Sequence, residues 1–245
     1  MKIKFTSAGN QLVGNLFLPD APKEKNPAIL FLHGHTGKKE NNTQYAEALV
    51  KLGYVCLPFD MTGHGESEGD IDPVTLGGLL EDCKVAYDYL AGLANVDKNN
   101  ICVVGSSMGG YLAPLLAQSR KVSNLVLRAA ADYPNDVFDK PVRENGADNP
   151  AVLEFRKRTS TGIDSFALEA LRAFGGPVLL IESEDDDRVP HPTLLNYANS
   201  VTDKSTLTHV VMKGAPHSIR EGKFRDEVEH ILTTWFAART IVGAY

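Results

Sequence analysis

Cysteine is scarce in this sequence of 245 residues, which contains only Cys56, Cys83 and Cys102. Each cysteine lies in or beside an apolar run, and no pair has the spacing of a metal site or a disulfide framework. We therefore expect three buried, reduced thiols and no bound metal. Because reduced thiols are usual in the cytoplasm, the cysteine content favours a cytoplasmic protein.

Long hydrophobic runs and an excess of basic residues are also missing. No uninterrupted apolar run is long enough to span a bilayer, and residues 1–5 lack the apolar core of a signal peptide. The formal net charge of −6 argues against nucleic acid or an anionic membrane as the main partner. We expect a soluble monomer or homodimer, and the hydrophobic content of 43% is sufficient for a large core.

Apolar runs alternate with helical patterns along most of the chain. Expected strands are residues 28–32, 54–59, 101–104, 124–130, 177–181 and 207–212, and expected helices are residues 40–52, 75–94, 111–118, 191–201 and 222–238. Residues 2–8 and 12–18, around Gly9-Asn10, predict an antiparallel hairpin at one edge. The alternation predicts an α/β fold with a mostly parallel central sheet of about eight strands and helices on both faces.

Residues 131–176 interrupt this alternation with a polar segment that contains three prolines and two short helical patterns. A connection of this length predicts a small cap over the carboxyl edge of the sheet, inserted in a single domain of residues 1–245. Its aromatic residues either hold the cap on the core or line a pocket; they are Tyr133, Phe138, Phe155 and Phe166. Its basic residues are expected to be solvated; they are Arg143, Arg156, Lys157 and Arg158.

The most informative motif is Gly-Ser-Ser-Met-Gly at residues 105–109, between an expected strand and a helix of small residues. A serine at a sharp strand-to-helix turn projects from the sheet, with the helix N-terminus behind it. Side chains at positions 105 and 109 would collide with the neighbouring strand or helix. Ser107 is favoured over Ser106 as a nucleophile because only Ser107 is centred between two glycines. Alone, the motif also fits an ordinary glycine-rich turn.

A serine nucleophile needs a general base, and the base needs an orienting carboxylate. Asp186 and His217 follow the ends of two later strands. Loops at the carboxyl ends of parallel strands meet at one edge of the sheet, so both side chains are expected near the serine. Asp185 and Asp187 are alternatives for the carboxylate, and His209, inside an expected strand, is an alternative for the base.

Four motifs together resemble those of α/β-hydrolases of the small serine esterase type. They are His-Gly-His-Thr-Gly at residues 33–37, then residues 105–109, Asp-Asp-Arg-Val-Pro at residues 186–190, and Gly-Ala-Pro-His at residues 214–217. The resemblance extends from residue 1 to about residue 240. It implies that Ser107 is the nucleophile, His217 the general base and Asp186 the residue that orients the base. It further implies an oxyanion hole formed by the backbone N–H groups of His35 and Met108, and no cofactor or metal.

The resemblance implies hydrolysis of a small carboxylic ester through an acyl-enzyme, so the expected partner is a small acyl substrate. Thioesterases, amidases and C–C bond hydrolases use the same triad, and these activities remain open. Serine at position 107 argues against haloalkane dehalogenases, which need a carboxylate nucleophile, and dienelactone hydrolases, which use cysteine. A non-catalytic ligand-binding protein on this fold is the alternative from another class. His33 and His64 are expected to shape loops.

Overall fold

Strands and helices alternate in the computed structural model, which describes residues 1–146, 148–159, 165–219 and 222–240. The strands are β1 (Lys2–Ser7), β2 (Asn10–Asn15), β3 (Asn26–Leu32), β4 (Val55–Pro58), β5 (Val96–Ser106), β6 (Asn124–Arg128), β7 (Val178–Asp185) and β8 (Leu207–Pro216). The helices are α1 (Thr43–Val50), α2 (Leu76–Gly92), α3 (Met108–Ser119), α4 (Val142–Asn145), α5 (Pro150–Arg156), α6 (Phe166–Ala173), α7 (His191–Ser200) and α8 (Lys223–Thr240). The element order is that of the predicted α/β fold.

The central sheet has the strand order β4-β3-β5-β6-β7-β8, and every neighbouring pair is parallel. Successive side chains of a strand point to opposite faces. In β3, Leu30 and Leu32 therefore join the core on one face, and Ile29 and Phe31 join the core on the other. This burial on both faces explains why the strands are continuous apolar runs. The loops after β3, β5, β7 and β8 leave from the same edge.

The central sheet contains six strands, so the predicted number of about eight was wrong. Strands β1 and β2 form a separate antiparallel sheet. Isolated bridges join Gly14 of β2 to Phe59, and Phe17, which follows β2, to Cys56 of β4. Pro58 lies between these two bridges. Because proline has no N–H group to donate, a continuous ladder cannot form there. The hairpin is therefore packed beside the sheet and is not part of it.

Helix α3 continues through Pro114, which lies in its interior. A proline in a helix interior cannot donate a hydrogen bond to the preceding turn. Every residue from Met108 to Leu116 is buried, so packing on all sides holds this helix despite the missing bond. In the described ranges, no helix is both long enough and apolar enough to cross a bilayer. The three cysteines are buried and unbridged.

Helices α4, α5 and α6 lie within residues 131–176, and residues 147 and 160–164 of this segment are outside the described ranges. Phe138 and Phe166 pack edge to face, with ring centroids 5.3 Å apart. Arg156 is only 1% exposed, so the prediction that it is solvated was wrong. Its Nε donates to the carbonyl oxygen of Asp132 at 3.0 Å, and its guanidinium lies over the Tyr133 ring. These partners stand in for water around the buried charge.

Candidate active site

Ser107 lies at the turn between β5 and α3, with φ 52° and ψ −115°. Positive φ is unusual for a residue with a side chain and marks a locally strained backbone. The conformation is maintained by hydrogen bonds on both sides of the residue. The Ser107 N–H donates to the carbonyl oxygen of Arg128, and the Ser107 carbonyl oxygen accepts from Gly110, Tyr111 and Ala131. The serine side chain is thus presented by a rigid corner of the fold.

Two glycines permit this corner. A Cβ atom on Gly105 would lie closer than 3.0 Å to the carbonyl oxygen of Gly109. A Cβ atom on Gly109 would lie equally close to the carbonyl oxygen of Leu32 in β3. The predicted collisions with the neighbouring helix and strand are therefore confirmed, and helix α3 packs against β3 and β5 at backbone distance.

Ser107, His217 and Asp186 form one hydrogen-bonded chain. The distance from His217 Nε2 to Ser107 Oγ is 3.0 Å, and the distance from His217 Nδ1 to Asp186 Oδ2 is 2.7 Å. Asp186 Oδ1 accepts the backbone N–H groups of Arg188 and Val189, at 2.9 Å and 2.7 Å. The Asp186 side chain is 2% exposed and that of His217 is 15% exposed. The carboxylate is thus fixed on both oxygens, and the imidazole has its Nε2 directed at the serine.

The alternatives raised by the sequence lie elsewhere. Asp185 and Asp187 are exposed, and the Asp187 side chain retains 82% of its accessible surface. His209 Nε2 is hydrogen-bonded to Glu182 Oε2 at 2.9 Å, within the β7–β8 part of the sheet. In the structure, His217 contacts the serine and Asp186 contacts His217.

The loop after β3 approaches the serine from the other side. A Cβ atom on Gly34 would lie 3.2 Å from Ser107 Cβ, so this loop passes directly over the nucleophile position. His35 follows Gly34 and lines the cleft, and Met108 is the fully buried first residue of α3. These positions put the predicted oxyanion-hole residues on the two segments that flank the serine hydroxyl.

His33 and His64 both hold backbone segments beside the cleft. His33 Nδ1 donates to the carbonyl oxygen of Gly34 at 2.7 Å, and its Nε2 accepts from the Met61 N–H at 3.1 Å. Burial, reinforced by the nearby His64, lowers the pKa of His33 to about 4, so this ring is neutral near pH 7. His64 is within hydrogen-bond distance of the carbonyl oxygens of Thr62 and His35, at 2.9 Å and 2.5 Å. Both rings have the loop-shaping contacts that the sequence predicts.

Sequence reasoning missed a buried ion pair under the same loop. Lys39 is 1% exposed, and its Nζ lies 2.7 Å from Asp60 Oδ2 and 2.5 Å from Glu66 Oε2. The Lys39 N–H also donates to Asp60 Oδ1 at 2.6 Å. The pair joins the loop after β3 to the loop after β4. In the sequence, Lys39 stands in a short charged run, which is normally solvated and gives no signal of burial.

Sequence reasoning also missed Arg128, the last residue of β6. Its Nη2 donates to the carbonyl oxygen of His217 and lies 3.4 Å from Ser183 Oγ. Arg128 thus contacts the backbone of the histidine that faces the serine. The available signal was its position, since an arginine ends an apolar strand at the sheet edge where the functional loops emerge.

These residues surround a cleft with a volume of about 870 Å³. Its lining includes Gly34, His35, Ser107, Arg128, Asp148, Arg188 and His217. Among the described residues, none of the four aromatic residues predicted to hold the cap or line a pocket borders the cleft. The part of the chain that the structure describes contains no group of three or more histidine, cysteine or acidic residues arranged to hold a metal ion.

A family model described as serine aminopeptidase, S33, matches residues 23–153, more than half of the chain. The chain belongs to this family of α/β-hydrolases. The resemblance in the four motifs is therefore confirmed at the level of the family, and the protein is a hydrolase by family.

The relatives of this hydrolase have diverse names. It is 30% identical over 179 residues to an uncharacterised protein of Mycobacterium tuberculosis, a match that covers 73% of this chain and 59% of that protein. It is 27% identical over 189 residues to the lysophosphatidylserine lipase ABHD12 of Danio rerio, covering 69% of this chain and 45% of that protein. The hydrolase thus matches only about half of the length of these curated relatives.

A solved structure shows the same fold over nearly the whole hydrolase. The esterase Est1E of Butyrivibrio proteoclasticus, with ferulic acid bound, superposes with a TM-score of 0.78 at 20% identity. The superposition covers 98% of this chain and 99% of that chain. At this identity the match shows a common fold.

Proposed function

We propose that this hydrolase cleaves a small carboxylic ester through an acyl-enzyme formed on Ser107. The observation that carries the proposal is the hydrogen-bonded chain from Ser107 Oγ through His217 to Asp186, with contacts of 3.0 Å and 2.7 Å. A nucleophile within reach of a base, and a base held by a buried carboxylate, is the arrangement that activates a serine hydroxyl. The exposed alternatives, Asp185 and Asp187, lack this geometry.

In the acylation step, Ser107 Oγ attacks the ester carbonyl carbon while His217 Nε2 accepts the hydroxyl proton. The backbone N–H groups of His35 and Met108 donate to the oxygen that becomes negatively charged. One such donor contributes roughly 3 kcal/mol to the stability of the transition state. His217 then gives the proton to the alcohol oxygen, and the C–O bond to the alcohol breaks.

In the deacylation step, His217 Nε2 removes a proton from water, whose oxygen attacks the acyl carbonyl carbon. The bond between that carbon and Ser107 Oγ then breaks, His217 returns the proton to Ser107 Oγ, and the acid leaves. Asp186 Oδ2 accepts a hydrogen bond from the Nδ1–H group of His217 in both steps, so Nε2 stays free to act as the base. Asp186 Oδ1 accepts hydrogen bonds from two backbone N–H groups, so only Oδ2 is directed at the imidazole ring. Acylation and deacylation thus use the same three side chains.

Residues 131–176 act in this proposal as a small cap on the single domain. Asp148 of this segment lines the cleft and forms an ion pair with Arg188, which follows Asp186. Arg156 Nη1 donates to the carbonyl oxygen of Arg188 at 3.2 Å. These contacts tie the segment to the loop that carries the carboxylate. A cap of this size favours esters with short acyl chains over long lipids.

The test combines a mechanism-based label with turnover. We expect the wild-type protein to hydrolyse p-nitrophenyl acetate or butyrate and to be labelled by a fluorophosphonate probe. Ser107→Ala should abolish labelling and leave only the residual rate, about 10³- to 10⁴-fold over water, that binding and an oxyanion hole provide. Ser106→Ala is the matched control, because it alters the neighbouring hydroxyl and should still be labelled. Wild-type turnover by Ser107→Ala, or labelling that persists in it, would contradict the proposal.

A further inference from the structure

Arg128 places a positive charge inside the cleft. It lies opposite Ser106 in the register of β5 and β6, and its carbonyl oxygen accepts the Ser107 N–H at 3.0 Å. Its side chain lines the same cleft as Ser107 and His217. A group bound to this guanidinium would therefore lie in the same cleft as the nucleophile.

The guanidinium has no anionic partner in the described ranges. Its hydrogen bonds come from Nη2 and go to neutral acceptors, the His217 carbonyl oxygen and Ser183 Oγ. Nε is buried and has no hydrogen-bond partner in the same part of the chain. Burial lowers the pKa of Arg128, and Tyr45 and Asp186 oppose that shift from a distance. Arg128 is partly buried, and a cation that is partly removed from water without a paired anion is costly; a bound anion reduces this cost.

Neutral polar residues line the same cleft as Arg128. Asn42 and Tyr45, on the segment that leads into and begins α1, are buried and line the cleft, as does Ser106. The Tyr45 hydroxyl has no hydrogen-bond partner among the residues that the structure describes, and Arg128 is close enough to affect its pKa. The guanidinium and the Tyr45 hydroxyl are donors, and one carboxylate has enough acceptor sites for both.

The other charged residues at the cleft are placed differently. Lys38 is exposed to solvent. Arg188 forms an ion pair with Asp148 and lies 3.9 Å from Asp187 Oδ2. Exposed or paired charges contribute little to binding, because water and salt screen them. Arg128 is therefore the charge in the cleft that best fits an anion.

We propose that Arg128, with the Tyr45 hydroxyl, binds a carboxylate of the substrate, so that the ester carries one negative charge besides the bond that is cleaved. Such a substrate is a monoester of a dicarboxylic acid or an acylated hydroxy acid. The inference rests on the proposed function, since it concerns the substrate of Ser107. A single unpaired guanidinium matches a monoanion, and an arginine binds a planar carboxylate through several N–H groups at once.

The first measurement compares pairs of esters that differ in charge. Mono-p-nitrophenyl adipate against p-nitrophenyl hexanoate places the carboxylate on the acyl side, and 4-acetoxybutanoate against butyl acetate places it on the alcohol side. For at least one pair we expect the anionic ester to have the higher kcat/KM in the wild type. The pair that shows the preference identifies the side of the ester that faces Arg128.

The second measurement determines, for several variants, the ratio of kcat/KM for the anionic ester to kcat/KM for its neutral partner. Arg128→Met should reduce the preference for the anionic ester roughly 10- to 100-fold, the range for a lost hydrogen bond to a charged group. Arg128→Lys should keep part of the preference, and Tyr45→Phe should lower it less than Arg128→Met. Lys38→Met, which removes an exposed cation from the same cleft, should leave the ratio unchanged. The ratio cancels any effect that Arg128 has on His217, because both esters use the same base.

The outcomes separate this inference from the proposed function. If the wild type cleaves the neutral esters through Ser107 but shows no preference in either pair, the function stands and the carboxylate site is rejected. An unchanged ratio in Arg128→Met rejects it as well. If Arg128→Met does not fold, the kcat/KM ratios of anionic to neutral ester in the wild type and in Tyr45→Phe decide whether the carboxylate site exists. If no ester is cleaved, the proposed function fails first.

Discussion

The side chain of Asp186 has different contacts from those of its two acidic neighbours, Asp185 and Asp187. It alone of the three is in contact with His217, and its second oxygen is occupied by two backbone N–H groups. Asp185 and Asp187 are solvated. Three consecutive aspartates thus divide into one buried acceptor and two surface charges, because only the middle one lies where the turn after β7 directs its side chain inward.

We predict that Asp186→Asn lowers kcat by roughly 10²- to 10⁴-fold with little change in KM. An amide at this position offers an N–H to the ring and favours the wrong tautomer of His217. Asp187→Asn is the matched control and should keep wild-type kcat, since that side chain is 82% exposed. Steady-state kinetics on p-nitrophenyl butyrate decide the point, and equal kcat values for the two variants would contradict the role of Asp186.

We predict a pH-dependent loss of stability from Asp132, a buried carboxyl group near the start of the segment of residues 131–176. Burial raises its pKa to about 7 from the ordinary aspartic acid value of 3.8. The folded state therefore binds more protons than the unfolded state between these values, so stability falls as the pH rises from about 4 to above 7. The difference amounts to roughly 2–4 kcal/mol.

Urea unfolding at pH 5 and pH 8 measures this effect. Asp132→Asn keeps an oxygen that accepts the Tyr133 N–H, as Asp132 Oδ1 does at 3.0 Å, but has no charge. We expect the wild type to lose stability relative to this variant between the two pH values. An Asp132→Asn protein with the same change in stability between pH 5 and pH 8 as the wild type would show that the carboxyl group does not titrate in this range.

At the scale of elements, the strand-to-helix corner depends on backbone contact between β3, β5 and α3. We predict that Gly105→Ala destabilises the protein by more than about 3 kcal/mol or prevents folding, because its Cβ would overlap the Gly109 carbonyl. Gly92→Ala is the matched control, because a Cβ atom there meets nothing within 4 Å. Thermal unfolding compares the two, and comparable Tm values would contradict this packing.

The segment of residues 131–176 packs into the main hydrophobic core through buried apolar side chains such as Val142 and Leu171, and backbone hydrogen bonds join it to the start of α2. The Gly77 N–H donates to the Phe138 carbonyl oxygen at 3.2 Å, and the Val142 N–H donates to the Val74 carbonyl oxygen at 2.7 Å. The Phe138 ring lies against Phe166 and would lie 3.1 Å from a Cβ atom on Gly77. These contacts fasten the segment near the start of α2, and Phe138 does not border the cleft in the described ranges.

At the scale of the whole molecule, attachment of the cap and choice of substrate should therefore be separable. We predict that Phe138→Ala lowers the free energy of unfolding by roughly 1–3 kcal/mol, since a large, partly buried side chain that packs against the core is removed. The preference for acetate and butyrate esters over longer p-nitrophenyl esters should remain. Urea unfolding and a series of acyl chain lengths test both halves, and a shifted chain-length optimum would show that this ring shapes the acyl pocket.

The order of strands and helices, the turn at Ser107 and the loops that carry Asp186 and His217 could all be predicted from the sequence. These features depend on local patterns: continuous apolar runs for strands buried on two faces, helical spacing, and glycines at positions 105 and 109. Local patterns also predicted the hairpin of β1 and β2. They could not show that the hairpin stays outside the central sheet. This outcome depends on Pro58, which lies between the two bridged residues Cys56 and Phe59 and is distant from the hairpin in the sequence.

The sequence by itself determined the fold family and the candidate catalytic residues, because each of the four motifs is written in consecutive residues. Only the tertiary structure decided which charged residues are buried, as Lys39 and Arg156 are, or partly buried, as Arg128 is. Lys39 reaches Asp60, Arg156 reaches the carbonyl of Asp132, and Arg128 reaches the carbonyl of His217. Their partners are distant in the sequence. From its sequence position alone, each of these residues would be predicted to be an exposed charge. A charge leaves water only where the folded chain supplies partners, so its burial is a property of the assembled structure.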